Sequence, residues 1–214
     1  MDLIHGIDWQ GMGTMALRIM AILLCLVVHE VCHGLAAYKL GDPTAKMNRR
    51  LSLNPLHHLD VFGLLMMITV GFGWAKAVPV DPRYFKKPKQ GMAFTALAGP
   101  VSNFLLAFLA ILVSWLIYSF APYHEALNVV FTFLLYSVAP LSIGLGLFNL
   151  LPFPPLDGSK VVAMFLPDRL YDRWMQYERI GILVLLVLSF ADFGTNWIGG
   201  AIVNIYSGML NLFY

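Results

Sequence analysis

The sequence predicts an all-α polytopic membrane protein of about four to six transmembrane helices. A re-entrant or β-hairpin-like segment is expected between the first and second main spans. Three observations carry this. Of the 214 residues, 59% are hydrophobic and 12% charged, with a mean hydropathy of +0.72. Soluble domains carry about 25% charged residues, so this chain has too little polar material to cover a surface in water. Three apolar stretches reach the length of about 20 residues that a helix needs to cross a ~30 Å hydrocarbon layer. Lysine and arginine fall in short clusters between those stretches, and a net charge of +2 makes no case for nucleic acid as a partner.

Taken in order, residues 1–14 contain Asp2, His5 and Asp8 and lack the basic start and small-residue cleavage site of a secretory signal. The first apolar helix is therefore expected to stay in the mature chain. The spans are residues 15–40, 93–120 and 127–151. Cys25 and Cys32 share the first helix, about 10 Å apart along its axis and too far for a disulfide. Between the first two spans, residues 51–82 must begin and end on one side. Their centre, VFGLLMMITVGFGWAKAVPV, is apolar but rich in Gly, Pro and β-branched residues. That composition suits a re-entrant hairpin or an interfacial loop better than a clean crossing. Residues 180–214 are apolar but broken by Asp192, Gly194, Asn196 and the Gly199-Gly200 pair, which fits one short span plus a second span or a re-entrant piece. With no repeat, linker or soluble insertion, residues 1–214 form a single membrane-embedded domain, with a core over about 15–165 and C-terminal membrane segments over about 176–214.

Orientation follows from the basic loops. Lys39, Lys46, Arg49 and Arg50 follow the first span; Arg83, Lys86, Lys87 and Lys89 precede the second; Lys160, Arg169, Arg173 and Arg179 follow the third; residues 121–126 carry none. All three clusters lie on the cytoplasmic side if the first span runs inward.

The stretch VVHEVCHGLA, residues 27–36, carries chemistry. On a helix, positions i and i+4 share a face about 6 Å apart. His29 and His33 can therefore bind one metal ion, while Glu30 lies where its carboxylate can reach a metal-bound water. Such a pattern is weak in a soluble helix. Inside an apolar span it weighs more, because each ionisable group at the bilayer centre costs ~2.5 kcal/mol or more. Catalytic zinc takes three protein ligands plus water, and a third candidate is Asp157, in FNLLPFPPLDGSK at the cytoplasmic end of the third span. The competing role for Asp157 is to cap a helix over residues 158–165.

HEVCHG in a transmembrane helix, LAGPVSNF in the next and NLLPFPPLDG after another resemble the site-2 protease family of intramembrane zinc metalloproteases. RLSLNPLHHLDVFG and GWAKAVPVDPRYF are also similar to its compact members, those without PDZ or CBS domains. The resemblance covers about residues 15–165. It implies one zinc ion per chain held by His29, His33 and Asp157, with Glu30 driving hydrolysis within a substrate's transmembrane segment. Val31, Cys32 and Ser159 depart from commoner family residues, and none of them is a ligand.

Asn103, polar inside an apolar helix, is a candidate for binding substrate backbone or an oxyanion near the zinc, against the alternative of a helix–helix hydrogen bond. Asn149 invites the same reading more weakly. His57, His58 and Asp60 are expected to be structural, and the extended stretch 71–80 is a candidate edge for pairing with an unwound substrate. The expected function is an intramembrane zinc endopeptidase. The alternative is a metal transporter or metal sensor using the same ligands, which has no need of Glu30. The expected partners are a transmembrane protein substrate and the lipid bilayer, in a prokaryotic cell membrane, with the active site toward the cytoplasm.

Overall fold

The computed structural model describes residues 9–60, 76–177, 181 and 195–214. Among these, helices and loops account for the fold, with no extended strand. Helix α1 (Trp9–Lys39) is followed by the single turn α2 (Thr44–Met47) and then by α3 (Pro88–Phe120). Next comes α4 (Glu125–Asn149), then the shorter α5 (Asp157–Ala163), α6 (Asp168–Gln176) and α7 (Thr195–Leu210). Three of these helices, α1, α3 and α4, are long and apolar enough to cross a membrane, and α7 is a shorter apolar helix. The chain is a membrane protein whose spans match the expected segments to within a few residues.

Local chemistry sets the ends. The chain leaves α1 through a Schellman turn: Gly41 takes φ +110°, its N–H donates to the Tyr38 carbonyl, and the Asp42 N–H reaches the Ala37 carbonyl at 2.9 Å. Asp42 is fully buried because its carboxylate is satisfied, accepting from the Thr44 N–H (2.9 Å), the Thr44 hydroxyl (2.5 Å) and the Asp81 N–H (2.7 Å). It ties the end of α1 to the chain that enters α3. Helix α3 starts with Pro88 in its first turn and runs unbroken through Pro100. Helix α4 holds a π-helical turn at Phe133–Val138, which no sequence signal announces. Tyr206 of α7 donates to the Leu135 carbonyl inside that turn at 2.9 Å, and the Cys25 thiol faces the Val138 carbonyl at 3.8 Å.

The core lies where α1, α3 and α4 meet, at Ala21, Cys25, Ala107, Ala110, Ile111, Leu135, Val138, Ala139 and Ile143. Small residues dominate it. In lipid, helices gain by close van der Waals packing, and small side chains permit that approach.

The re-entrant or hairpin expectation falls mostly on residues 61–75, which lie outside the described residues, as do 182–194 of the C-terminal region. The flanks of the first stretch are described, and they meet. The Lys76 N–H donates to the His58 carbonyl at 2.9 Å. The buried Arg50 guanidinium donates to the carbonyls of His57, Lys76 and Ala77. His58 is buried against the Ser52 carbonyl at 2.7 Å, a structural placement.

Candidate metal centre

Near the C-terminal end of α1, His29 and His33 project from one face with ring centroids 4.5 Å apart and planes nearly perpendicular. The turn after α4 brings in the third group. Leu150 and Leu151 close the helix, and α5 begins at Asp157. A Cβ on Gly158 would come within 2.6 Å of the Leu151 carbonyl oxygen, so only glycine lets α5 start this close to the end of α4. Asp157 occupies the first turn of that helix, yet its Oδ2 lies 3.1 Å from Nε2 of both His29 and His33. Among the described residues, these three side chains form the one group able to share a metal ion, with donor atoms all within 4.8 Å of one another.

Helix α3 forms the back wall. Thr95, Gly99 and Asn103 lie at i, i+4 and i+8, on one face, opposite the two imidazoles. His33 Nδ1 donates to the Thr95 carbonyl at 2.7 Å. His29 Nδ1 lies 3.2 Å from the Asn103 side-chain amide. Between them, a Cβ on Gly99 would come 2.5 Å from His33 Cε1 and 2.7 Å from His29 Cε1, so the imidazoles rest on bare backbone. Ser102 donates to the Gly99 carbonyl at 2.6 Å, and Ser142 of α4 donates to the Asn103 backbone carbonyl at 3.0 Å, pinning this face.

The donor chemistry fits a divalent cation. With its proton on Nδ1, held by Thr95, His33 turns the lone pair of Nε2 toward a carboxylate oxygen. Lone pair against anion is repulsive unless a cation lies between. Tetrahedral zinc with bonds of about 2.0–2.2 Å separates its ligand atoms by about 3.3 Å, close to the 3.1 Å spacing here.

Glu30 follows His29 on α1, and its Oε2 accepts the backbone N–H of Val78 at 2.9 Å. The Ala77 carbonyl at the other end of the same peptide unit accepts from Arg50 at 3.2 Å. Asn103 is fully buried against His29. Asn149 bonds its own helix at the Leu145 carbonyl, 3.0 Å away. Sequence reasoning did not single out Thr95, Gly99 or Arg50 for the metal centre, and it placed Val78 only within 71–80 as a candidate edge for substrate, not as a partner of Glu30. The i, i+4, i+8 spacing of Thr95, Gly99 and Asn103, facing the i, i+4 pair of α1, is a signal that could have found the first two. Thr95 and Val78 act through backbone atoms, which every residue carries.

Comparison with known proteins identifies the family of the chain. The profile of Peptidase family M50 matches residues 116–191, the part of the chain that contains Asp157. YwhC of Bacillus subtilis (strain 168), provisionally named a zinc metalloprotease, is 36% identical over 192 residues, covering 87% of this chain and 86% of YwhC. Rip2 of Mycobacterium tuberculosis H37Rv, named in the same way, is 27% identical over 206 residues, covering 94% of this chain and 76% of Rip2. No solved structure matches the chain.

Proposed function

The chain belongs to peptidase family M50, the site-2 protease family, and is a zinc metalloprotease; on that premise we propose that it is an intramembrane endopeptidase. It hydrolyses peptide bonds within or near transmembrane segments of membrane-protein substrates. The observation that carries this is the convergence of His29 Nε2, His33 Nε2 and Asp157 Oδ2 beside Glu30, at the end of a helix able to cross a membrane.

In this reading His29, His33 and Asp157 hold a single zinc ion. Zinc, when bound, supplies Lewis acidity, acidifying water and polarising the scissile carbonyl. Glu30 takes the proton of the attacking water and returns it to the leaving amine. The Val78 N–H holds one oxygen of Glu30, so the other is presented in a fixed direction. The centre faces the cytoplasmic side of a cell membrane, as the chain's basic residues suggest. Lys39 ends the helix that carries the site and Lys46 and Arg49 follow it, while Lys86 and Lys87 precede the helix that backs it and Lys89 lies in its first turn. Water enters from that side.

The test is cleavage by purified protein in proteoliposomes, using a panel of peptides that each contain one transmembrane segment. Cleavage should stop with a zinc chelator, return with added zinc and be absent in Glu30→Gln. Zinc flux without cleavage, unaffected by Glu30→Gln, would replace this reading with transport.

A further inference from the structure

The amide of Asn103 stands in a relation to His29 that metal chemistry makes decisive. Its Nδ2 is placed 3.2 Å from His29 Nδ1, while Oδ1 is buried with no hydrogen-bond partner. The two amide atoms are nearly isosteric, so their assignment follows from the network around them. With Nδ2 facing Nδ1, His29 carries its proton on Nε2, the atom that faces Asp157 at 3.1 Å. That tautomer has no lone pair to give a metal. A zinc-bound His29 must carry the proton on Nδ1, and then the atom opposite must be an acceptor.

We propose that Asn103 is a positioning residue for the metal centre: its side-chain carbonyl accepts the Nδ1 proton of His29 and so selects the tautomer that presents Nε2 to zinc. The assignment rests on the zinc reading above. Three further observations support it. His33 is already arranged this way, with Nδ1 on a carbonyl of the same helix at Thr95, two turns before Asn103. Ser142 fixes the Asn103 backbone from a third helix, so the amide is held in register with the imidazole. Asn103 is fully buried, so no competing solvent acceptor reaches that nitrogen. Metal-ligating histidines commonly donate their second ring N–H to a carboxylate or carbonyl, and loss of that partner weakens metal binding 10- to 100-fold.

The experiment compares zinc affinity, by competition with a chromogenic chelator, for full-length native chain, Asn103→Asp and Asn103→Leu in nanodiscs. The visible spectrum of each cobalt(II)-loaded protein is the second readout. Asp keeps an acceptor, and Leu keeps the volume without one. The proposal predicts affinity for Asn103→Asp within a few-fold of native or tighter, with a native-like cobalt spectrum. Asn103→Leu should bind roughly 10- to 100-fold more weakly, with a shifted spectrum. If Asn103 instead donates to His29 as a helix–helix contact, the order reverses, because Asp then sets an anion against a lone pair. Reversed order, or equal affinities in all three proteins, overturns the proposal while leaving the zinc reading intact. Should Asn103→Leu not fold, Asn103→Asp decides alone: binding more than tenfold weaker than native overturns it. A native chain that binds no zinc overturns the parent reading as well.

Discussion

Val78 donates its backbone N–H to Oε2 of Glu30 at 2.9 Å, across 48 residues of chain. The same peptide unit offers its carbonyl, that of Ala77, to Arg50. One peptide plane is therefore held at both ends, by a buried cation on one side and by the proposed general base on the other. Misplacing a catalytic group by about 1 Å can cost ~100-fold in rate. Val78→Pro, which deletes the donor, should lower turnover by roughly 10- to 100-fold and leave zinc content unchanged. Arg50→Met should do the same more weakly, since Val78 keeps its N–H. Metal analysis alongside peptide cleavage checks both, and native turnover in Val78→Pro would remove the peptide unit from the mechanism.

Substitutions at the centre should separate ligands from base. His29→Ala, His33→Ala and Asp157→Ala each remove one of three converging donor atoms and should purify with little zinc. Glu30→Gln should keep about one zinc per chain and lose turnover by roughly 10²- to 10⁴-fold. Stoichiometry by mass spectrometry after removal of free metal decides this. A Glu30→Gln protein without zinc would mean that Glu30 serves as a ligand.

Gly99→Ala is predicted to be more damaging than its single methyl suggests. The added Cβ would lie 2.7 Å from His29 Cε1 and 2.5 Å from His33 Cε1, and each imidazole is also tethered through Nδ1 to α3. The rings cannot withdraw without giving up those bonds. Zinc affinity should fall by at least tenfold, as measured by chelator competition. Unchanged affinity would show that α1 and α3 can separate at this point.

How much of this was legible in the sequence depends on which atoms do the work. His29, Glu30 and His33 announce themselves through one helical turn of spacing. Asp157 is less visible: spacing placed it at the right depth beside a proline-rich turn but left a helix-capping role equally open. In the structure the residue starts α5 and also faces both histidines. The three long spans follow from composition because apolar length is a one-dimensional property. The π turn at Phe133–Val138, whose Leu135 carbonyl accepts from Tyr206 of α7, is a matter of helix packing that no local pattern encodes, and the unbroken passage of α3 through Pro100 has no local signal either. Asn103 stood out as polar in an apolar helix, but its partner is a matter of helix packing. Only the fold shows that it meets His29.

Lys89 supplies a prediction of contrasting size. Its ammonium donates to the Leu166 carbonyl at 2.8 Å and pairs with Asp168 at 2.5 Å, tying the start of α3 to the start of α6. The hydrogen bond from Lys89 holds the Asp168 carboxyl below the usual carboxylate range. A depressed carboxylate contributes stability above its unfolded pKa of about 3.9 and loses it as pH falls through the folded value. Asp168 is solvent-exposed, so Asp168→Asn should lower Tm only slightly near neutral pH. That difference should vanish in acid. Lys89→Met, which also strips the Leu166 carbonyl of its donor, should cost more. Thermal unfolding at pH 7 and at about pH 2, below both the unfolded and the folded value, checks the order, and neither variant should alter zinc content at pH 7.

The most direct test of the central claim compares the termini of membrane proteins, by mass spectrometry, in cells expressing the native chain and cells expressing Glu30→Gln. The account predicts new termini that map inside transmembrane segments, present with the native chain and absent with Glu30→Gln. Identical sets of termini, from a native chain that purifies with about one zinc, would contradict intramembrane proteolysis by this centre.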